Sequence, residues 1–145
     1  MADGQHLDWH EVKSRLPHGN DFRFIAKADV SQERIIARFY MVPLHQILEA
    51  HFPDDPIVPG VFILEAMAQA AGLWLSINVE DAGNKKWDFS GLAGGVRWRR
   101  KVRPGDILEI TARLEKVRSD FYYFVAEAKV GDELACEAKP IVALR

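Results

Sequence analysis

Residues 57–79, IVPGVFILEAMAQAAGLWLSINV, decide the fold. Within this run only Glu65 and Gln69 break the apolar character between Val61 and Leu75, so a helix built from it has no wide polar stripe to turn toward water. About 20 such residues are enough to cross a membrane. Glu65 and Gln69 lie inside the run, however, Pro59 and Gly60 shorten its helical part, and no other stretch of the chain could serve as a span. The reading is a helix buried on nearly every side inside a soluble protein. It starts near Pro59 or Gly60 and stops before the polar stretch Glu80 to Lys86, where Gly83-Asn84 marks a loop.

The rest of the chain must supply the cover. It has 145 residues, 48% of them apolar, which suits one domain over 1–145 with one sizeable core. General disorder is excluded, because charge is low relative to hydrophobicity. The lone cysteine, Cys136, excludes an intrachain disulfide framework and a cysteine-rich zinc site. The first residues lack a basic and then apolar signal segment, so a cytoplasmic protein is expected. With 19 basic and 21 acidic residues the formal net charge is -2, which argues against a general nucleic-acid coat.

Working outward from the helix, Leu7 to Leu16 reads as a short helix. Asp8 stands as N-cap, Glu11 completes a capping box, and Pro17 forces the stop. Phe22 to Val30 and Arg34 to Val42 read as strands joined by Ser31-Gln32-Glu33, the second alternating with Ile35, Ala37, Phe39 and Met41 on one face. Prolines at 53, 56 and 59 forbid regular structure in the loop before the long helix. After the helix all is strand. Trp87 to Trp98 is one, interrupted by glycines; Ile107 to Val117, Phe121 to Val130 and Glu133 to Leu144 follow, the last two joined by Gly131-Asp132 and the last carrying Pro140 at an edge or bulge.

One apolar helix and five or six long antiparallel strands fit together when a strongly curved sheet wraps around the helix. This is an α+β chain with the hotdog architecture. Such sheets commonly continue across a two-fold axis, so a dimer is expected.

The chemistry concentrates in residues 51–65, HFPDDPIVPGVFILE. A carboxylate in an apolar helix is costly to bury unless it is paired, metal-bound or protonated, and burial raises a carboxyl pKa from about 4.3, so Glu65 is a candidate proton donor. The plainer alternative is a Glu65 that faces a solvent gap or bonds a polar neighbour. His51, with an imidazole of reference pKa about 6.5, suits proton abstraction near neutral pH. At Pro59-Gly60 the first helical amides lack intrahelical partners, and Gly60 admits close approach to its own N–H, where a carbonyl oxygen can gain negative charge. Base, acid and oxyanion site describe chemistry alpha to a carbonyl, followed by loss or gain of a group at the beta carbon.

Residues 51–72 resemble the signature of the FabZ-type (3R)-hydroxyacyl-[acyl-carrier-protein] dehydratases. Leu16-Pro17-His18, the segment Val102-Arg103-Pro104-Gly105-Asp106 and Glu137-Ala138 extend the resemblance over most of the chain. It implies a lyase that removes water from 3-hydroxyacyl thioesters to give trans-2-enoyl thioesters in fatty-acid or polyketide-type synthesis. It implies no metal and no cofactor. The partners would be an acyl carrier protein bearing the 3-hydroxyacyl-phosphopantetheine and a second copy of the chain, in a homodimer or a trimer of dimers. By resemblance, His51 removes the C2 proton, Glu65 protonates the leaving 3-hydroxyl, Gly60 polarises the thioester carbonyl through its amide, and Gln69 helps to orient the acid; His51 and Glu65 come from different subunits. Glu65 stands where the related dehydratase-isomerases carry Asp, which favours dehydration without isomerisation. Ala50, Asp54 and Gly19 depart from the family pattern, and so does the loop Val42 to Glu49. These departures keep open a helper hotdog subunit within a heteromeric complex, and an acyl thioesterase remains a third reading.

Arg97, Arg99, Arg100, Lys101 and Arg103 put five cations into seven residues. They are a solvated strand or a dock for the acidic carrier protein or its phosphate. One short patch without repeated aromatics does not make a nucleic-acid surface. His6 and His10 could share a helical face, but two ligands without a third do not make a metal site. His18 is expected at the pocket mouth or a turn.

Overall fold

The computed structural model describes residues 4–145. Asp8 starts the first helix, α1 (Trp9–Arg15), through the expected capping box: its carboxylate accepts the Glu11 N–H at 2.9 Å, and Glu11 Oε1 accepts the Asp8 N–H at 3.3 Å. A three-residue strand, β1 (Gln5–Leu7), precedes it and was not expected. His6 therefore lies off the helix and pairs with Asp29 at 2.8 Å, so His6 and His10 share no helical face. Next come β2 (Ile25–Val30) and β3 (Ile35–Phe39), in which Ile35, Ala37 and Phe39 are buried, as their alternation requires. The expected start of β2 at Phe22 is taken instead by a helical turn, Asn20–Phe22.

A second departure lies before the proline loop. The segment read as loop forms a short helix, α2 (His45–Ala50), anchored by the buried pair Leu44 and Leu48 four residues apart. The long helix, α3, runs from Gly60 to Asn78, within the expected limits. The strand expected at Trp87 to Trp98 is two, β4 (Trp87–Leu92) and β5 (Arg97–Trp98). Gly91 and Gly94 have φ of 155° and 81°, which side-chain-bearing residues rarely adopt, and they end the pleat between the two. β6 (Leu108–Arg118) and β7 (Phe121–Val130) form a long hairpin. The last expected strand is also two, β8 (Glu133–Ala138) and β9 (Pro140–Leu144); Pro140 has no N–H to give and stands where the chain passes from one to the other.

All strand pairs are antiparallel, in the order β1-β2-β3-β6-β7. The far side of β7 is shared: Ala126 to Val130 pair with β8 and Phe121 to Tyr123 with β9. β5 and β4 then add to β8 and β9 and form the last edge. The sheet curls around α3, which touches β2, β3, β4, β6, β7 and β9, and every residue from Ala66 to Leu75 is buried. This is the hotdog fold, and the membrane-length apolar run is its core helix.

Close packing on α3 depends on small residues. An ideal Cβ built at Gly72 would lie 2.5 Å from Cε2 of Trp87, whose indole rests on the helix at that point. Alanine favours a helix over glycine by about 1 kcal/mol, but overpacking a filled core costs about 1–3 kcal/mol. Gly72→Ala is therefore expected to lower the thermal midpoint despite its better propensity. Scanning calorimetry checks this, and pairing it with Trp87→Leu should restore part of the loss.

Candidate active site

Glu65, the only acidic residue of α3, lies in its second turn with a side chain 17% exposed. One turn later Gln69 is completely buried, and each of its polar atoms is engaged. Its Oε1 accepts the Phe24 N–H at 2.9 Å, while Nε2 donates to the Phe22 carbonyl at 2.8 Å and to Glu65 Oε2 at 3.1 Å. The two backbone bonds fix which end of the amide is NH2, and that NH2 holds the carboxylate. Gln69 thus splices α3 to the chain entering β2 and sets the Glu65 rotamer at the same time.

His18, expected at the pocket mouth or a turn, lies beside Glu65. It stands on the acid itself, with Nε2 3.4 Å from Glu65 Oε2 and a side chain 18% exposed. Its ring lies between Phe22 and Trp87, with centroids 5.9 and 5.3 Å away. Its carbonyl accepts from Arg23 at 3.3 Å, and the Arg23 guanidinium is buried against Asn20 and the Trp9 ring. The sole sequence signal for this role is Leu16-Pro17-His18; nothing in periodicity joins positions 18 and 65.

His51 follows α2 directly. Its Nδ1 lies 3.0 Å from the Ile57 carbonyl, and since a carbonyl only accepts, Nδ1 carries a hydrogen and Nε2 is the nitrogen placed to exchange a proton. The loop is closed by the Ile57 N–H to the His51 carbonyl at 2.7 Å and by reciprocal bonds between Phe52 and Asp55. From outside, the Val102 carbonyl accepts the Val58 N–H at 2.8 Å and Arg103 pairs with Asp55 at 2.6 Å. At the start of α3, Pro59 offers no side-chain cap, and the Gly60 and Val61 N–H groups have no acceptor among the described residues. An ideal Cβ at Gly60 would clash with the far edge of the Trp98 indole, so glycine lets that ring lie against the start of the helix. Among the described contacts, none joins His51 to Glu65: His51 has Ile57 and Phe52, and Glu65 has Gln69 and His18.

The basic strip proves largely neutralised. Arg99 pairs with Glu137, Arg100 with Asp106 and Glu133, and Arg103 with Asp55. Arg97 and Lys101 have no ion-pair partner among the described residues. Cys136 is buried, and burial together with the nearby Glu137 carboxylate pushes its pKa up to about 12. It stays a neutral thiol at physiological pH and is no nucleophile. Thiol reagents should label it at pH 8 only after denaturation, and rapid labelling of the native protein would contradict its burial.

A family model for the FabA-like domain matches residues 16–139. The chain belongs to this family. It is 36% identical to the 3-hydroxyacyl-[acyl-carrier-protein] dehydratase FabZ of Polynucleobacter asymbioticus, over all of this chain and 97% of that protein. The FabZ of Caulobacter vibrioides is 33% identical over 92% of this chain and 85% of that one. Among solved structures, the dehydratase heterocomplex ApeI:P from Xenorhabdus doucetiae superposes with a TM-score of 0.69 at 20% identity, covering 92% of this chain and 90% of that one. The fluoroacetyl-CoA thioesterase FlK has a TM-score of 0.62 at 18% identity, covering 78% and 85%. At these identities the two structures speak for the fold alone.

Gln69→Leu would fill the same space but leave the Phe24 N–H buried without a partner and take the Gln69 donor from the Phe22 carbonyl. At about 1–3 kcal/mol for a buried orphaned group, the variant should lose about 1–3 kcal/mol in urea unfolding, with Glu65 no longer held.

Proposed function

We propose that this chain is a 3-hydroxyacyl thioester dehydratase in which His51 is the base and Glu65 the acid. The observation that carries the reading is Glu65 itself: one carboxyl on an otherwise apolar helix, held by Gln69 and His18 beside an uncapped helix start. The full-length likeness to FabZ relatives supports the same chemistry, and their names supply the carrier, an acyl carrier protein.

The steps follow from the groups. The thioester carbonyl accepts from the free Gly60 N–H, which steadies the negative charge that builds on oxygen when C2 loses its proton. The Nε2 lone pair of His51 takes that proton, and the Nδ1–H bond to Ile57 steadies the imidazolium. The C2–H electron pair becomes the C2–C3 double bond as the C3–O bond breaks. Glu65 donates its proton to the departing hydroxyl, and water leaves with a trans-2-enoyl thioester behind it. His51 ends protonated and Glu65 ionised, and proton exchange with solvent resets both.

The working site is inferred to span two subunits, with His51 from one copy facing Glu65 of another. Two features support this. Among the described residues no contact joins the two, and the outer edges of β4 and β5 have no strand partner, a ready template for a second copy. Arg97 and Lys101, the unpaired part of the basic strip, remain the candidates for meeting an acidic carrier, while Arg99, Arg100 and Arg103 serve first in ion pairs within the chain. The assembly is inferred to be a soluble cytoplasmic enzyme.

The test is hydration of a trans-2-enoyl thioester by the purified protein beside His51→Ala and Glu65→Gln. Each variant should lose about 10²- to 10⁴-fold in kcat. Unchanged rates in both would remove these residues from the mechanism. Release of free thiol from a saturated acyl thioester would favour a thioesterase instead.

A further inference from the structure

The two oxygens of Glu65 have different surroundings. Oε2 faces two nitrogens, Gln69 Nε2 at 3.1 Å and His18 Nε2 at 3.4 Å. Oε1 has no hydrogen-bond or ion-pair partner among the described residues. A carboxyl held in this way has one oxygen engaged by the protein and one left for a substrate.

Gln69 can only donate to Oε2, because its amide oxygen already accepts the Phe24 N–H. An imidazole can donate or accept there, and the buried side of the His18 ring decides which. Its Nδ1 is buried and has no hydrogen-bond partner among the described residues. A hydrogen on Nδ1 would be an orphaned buried donor, whereas a hydrogen on Nε2 meets the carboxyl. The ring is kept from turning by Phe22, stacked at 28° on it, by Trp87, and by the buried Arg23 that holds the His18 carbonyl. The unpartnered Nδ1 also has no group to pass a proton to, so the ring is no relay between Glu65 and another residue. At 3.4 Å the approach of Nε2 to Oε2 is long for a hydrogen bond, and bonds to an ionised carboxylate are the shorter and stronger ones. The contact therefore strengthens as Glu65 gives up its proton, which is when an interaction lowers a barrier.

We propose that His18 is a positioning residue for the acid. Together with Gln69 it takes up Oε2, so that the transferable proton sits on Oε1. As that proton passes to the departing hydroxyl, the Nε2–H meets the charge left on the carboxylate, and His18 keeps its own hydrogen throughout. The proposal rests on the reading of Glu65 as the acid.

The experiment is a double-substitution cycle on the full-length protein. It follows formation of the trans-2-enoyl product from a 3-hydroxyacyl thioester in the wild type, His18→Phe, Glu65→Gln and the pair. His18→Phe keeps a ring between Phe22 and Trp87 and removes the N–H. It should lower kcat about 10- to 100-fold, the scale of one hydrogen bond to a charged group, with KM changed by less than about twofold. In the Glu65→Gln background the same substitution should cost less than about twofold, because the group through which it acts is gone. His18→Gln, which carries an N–H to a similar reach, should keep more activity than His18→Phe. If the thermal midpoint shows that His18→Phe does not fold, His18→Asn takes its place in the cycle, since its shorter side chain leaves Oε2 without the donor. An unchanged kcat, a loss confined to KM, an equal loss in the Glu65→Gln background, or no advantage of His18→Gln overturns the proposal, while a severe loss in Glu65→Gln leaves the dehydratase reading standing. Full activity in Glu65→Gln removes that acid and the proposal with it.

Discussion

The structure depends on hiding a helix that has almost no polar side. From Ala66 to Leu75 every position of α3 is buried, so neighbours must approach from all around it. Burying one aliphatic side chain of this size contributes about 1.5–3 kcal/mol, and the sheet achieves this repeatedly by curling rather than lying flat. Ala66, Ala68, Ala70, Ala71 and Gly72 keep the helix thin enough for strands to close on it, and Trp87 fills the space Gly72 leaves.

The same burial creates the functional site. Once α3 is enclosed, Glu65 and Gln69, the polar side chains before its last turn, need partners within the protein, because unpaired polar groups in a dry interior are costly. Gln69 meets this need completely with two backbone groups and Glu65, whereas Glu65 keeps one face partly open and shares the other with His18. A fully buried amide beside a partly exposed carboxyl fixes the Glu65 rotamer and leaves one of its faces open, which is what the proposed role of Glu65 as acid needs. The His51 loop gains its shape differently, from turns within itself and from the clamp of Val102 and Arg103.

That clamp changes the meaning of the basic strip. In the sequence it is a run of charge with one counter-charge close by, Asp106. Folding adds Asp55, Glu133 and Glu137 from elsewhere in the chain, so most of its cations are engaged in holding the molecule together. Exposed pairs of this kind contribute only about 0–1 kcal/mol each, so their chief effect is orientation: Arg103 ties the loop carrying His51 to the chain ahead of β6. Of the strip's five cations, Arg97 and Lys101 alone are left without an ion-pair partner among the described residues.

The sequence by itself determined the length and enclosure of α3, because Pro59-Gly60 and the polar stretch after Asn78 bound an unbroken apolar run. It also determined the capping box of α1 and the pairing habit of the long strands, whose alternation is local. His51, Gly60, Glu65 and Gln69 were legible as candidates from chemistry and motif together. What it could not show were events between distant segments. The helix α2 forms around Leu44 and Leu48 because the core receives them. The β4–β5 and β8–β9 breaks arise where the curled sheet must bend. The meeting of His18 with Glu65, 47 positions apart in the sequence, joins two segments with no shared period, and the Gln69 bonds to residues 22 and 24 do not exist until the sheet has closed. Periodicity reports which face of an element is buried, and only the tertiary structure decides what each face is buried against.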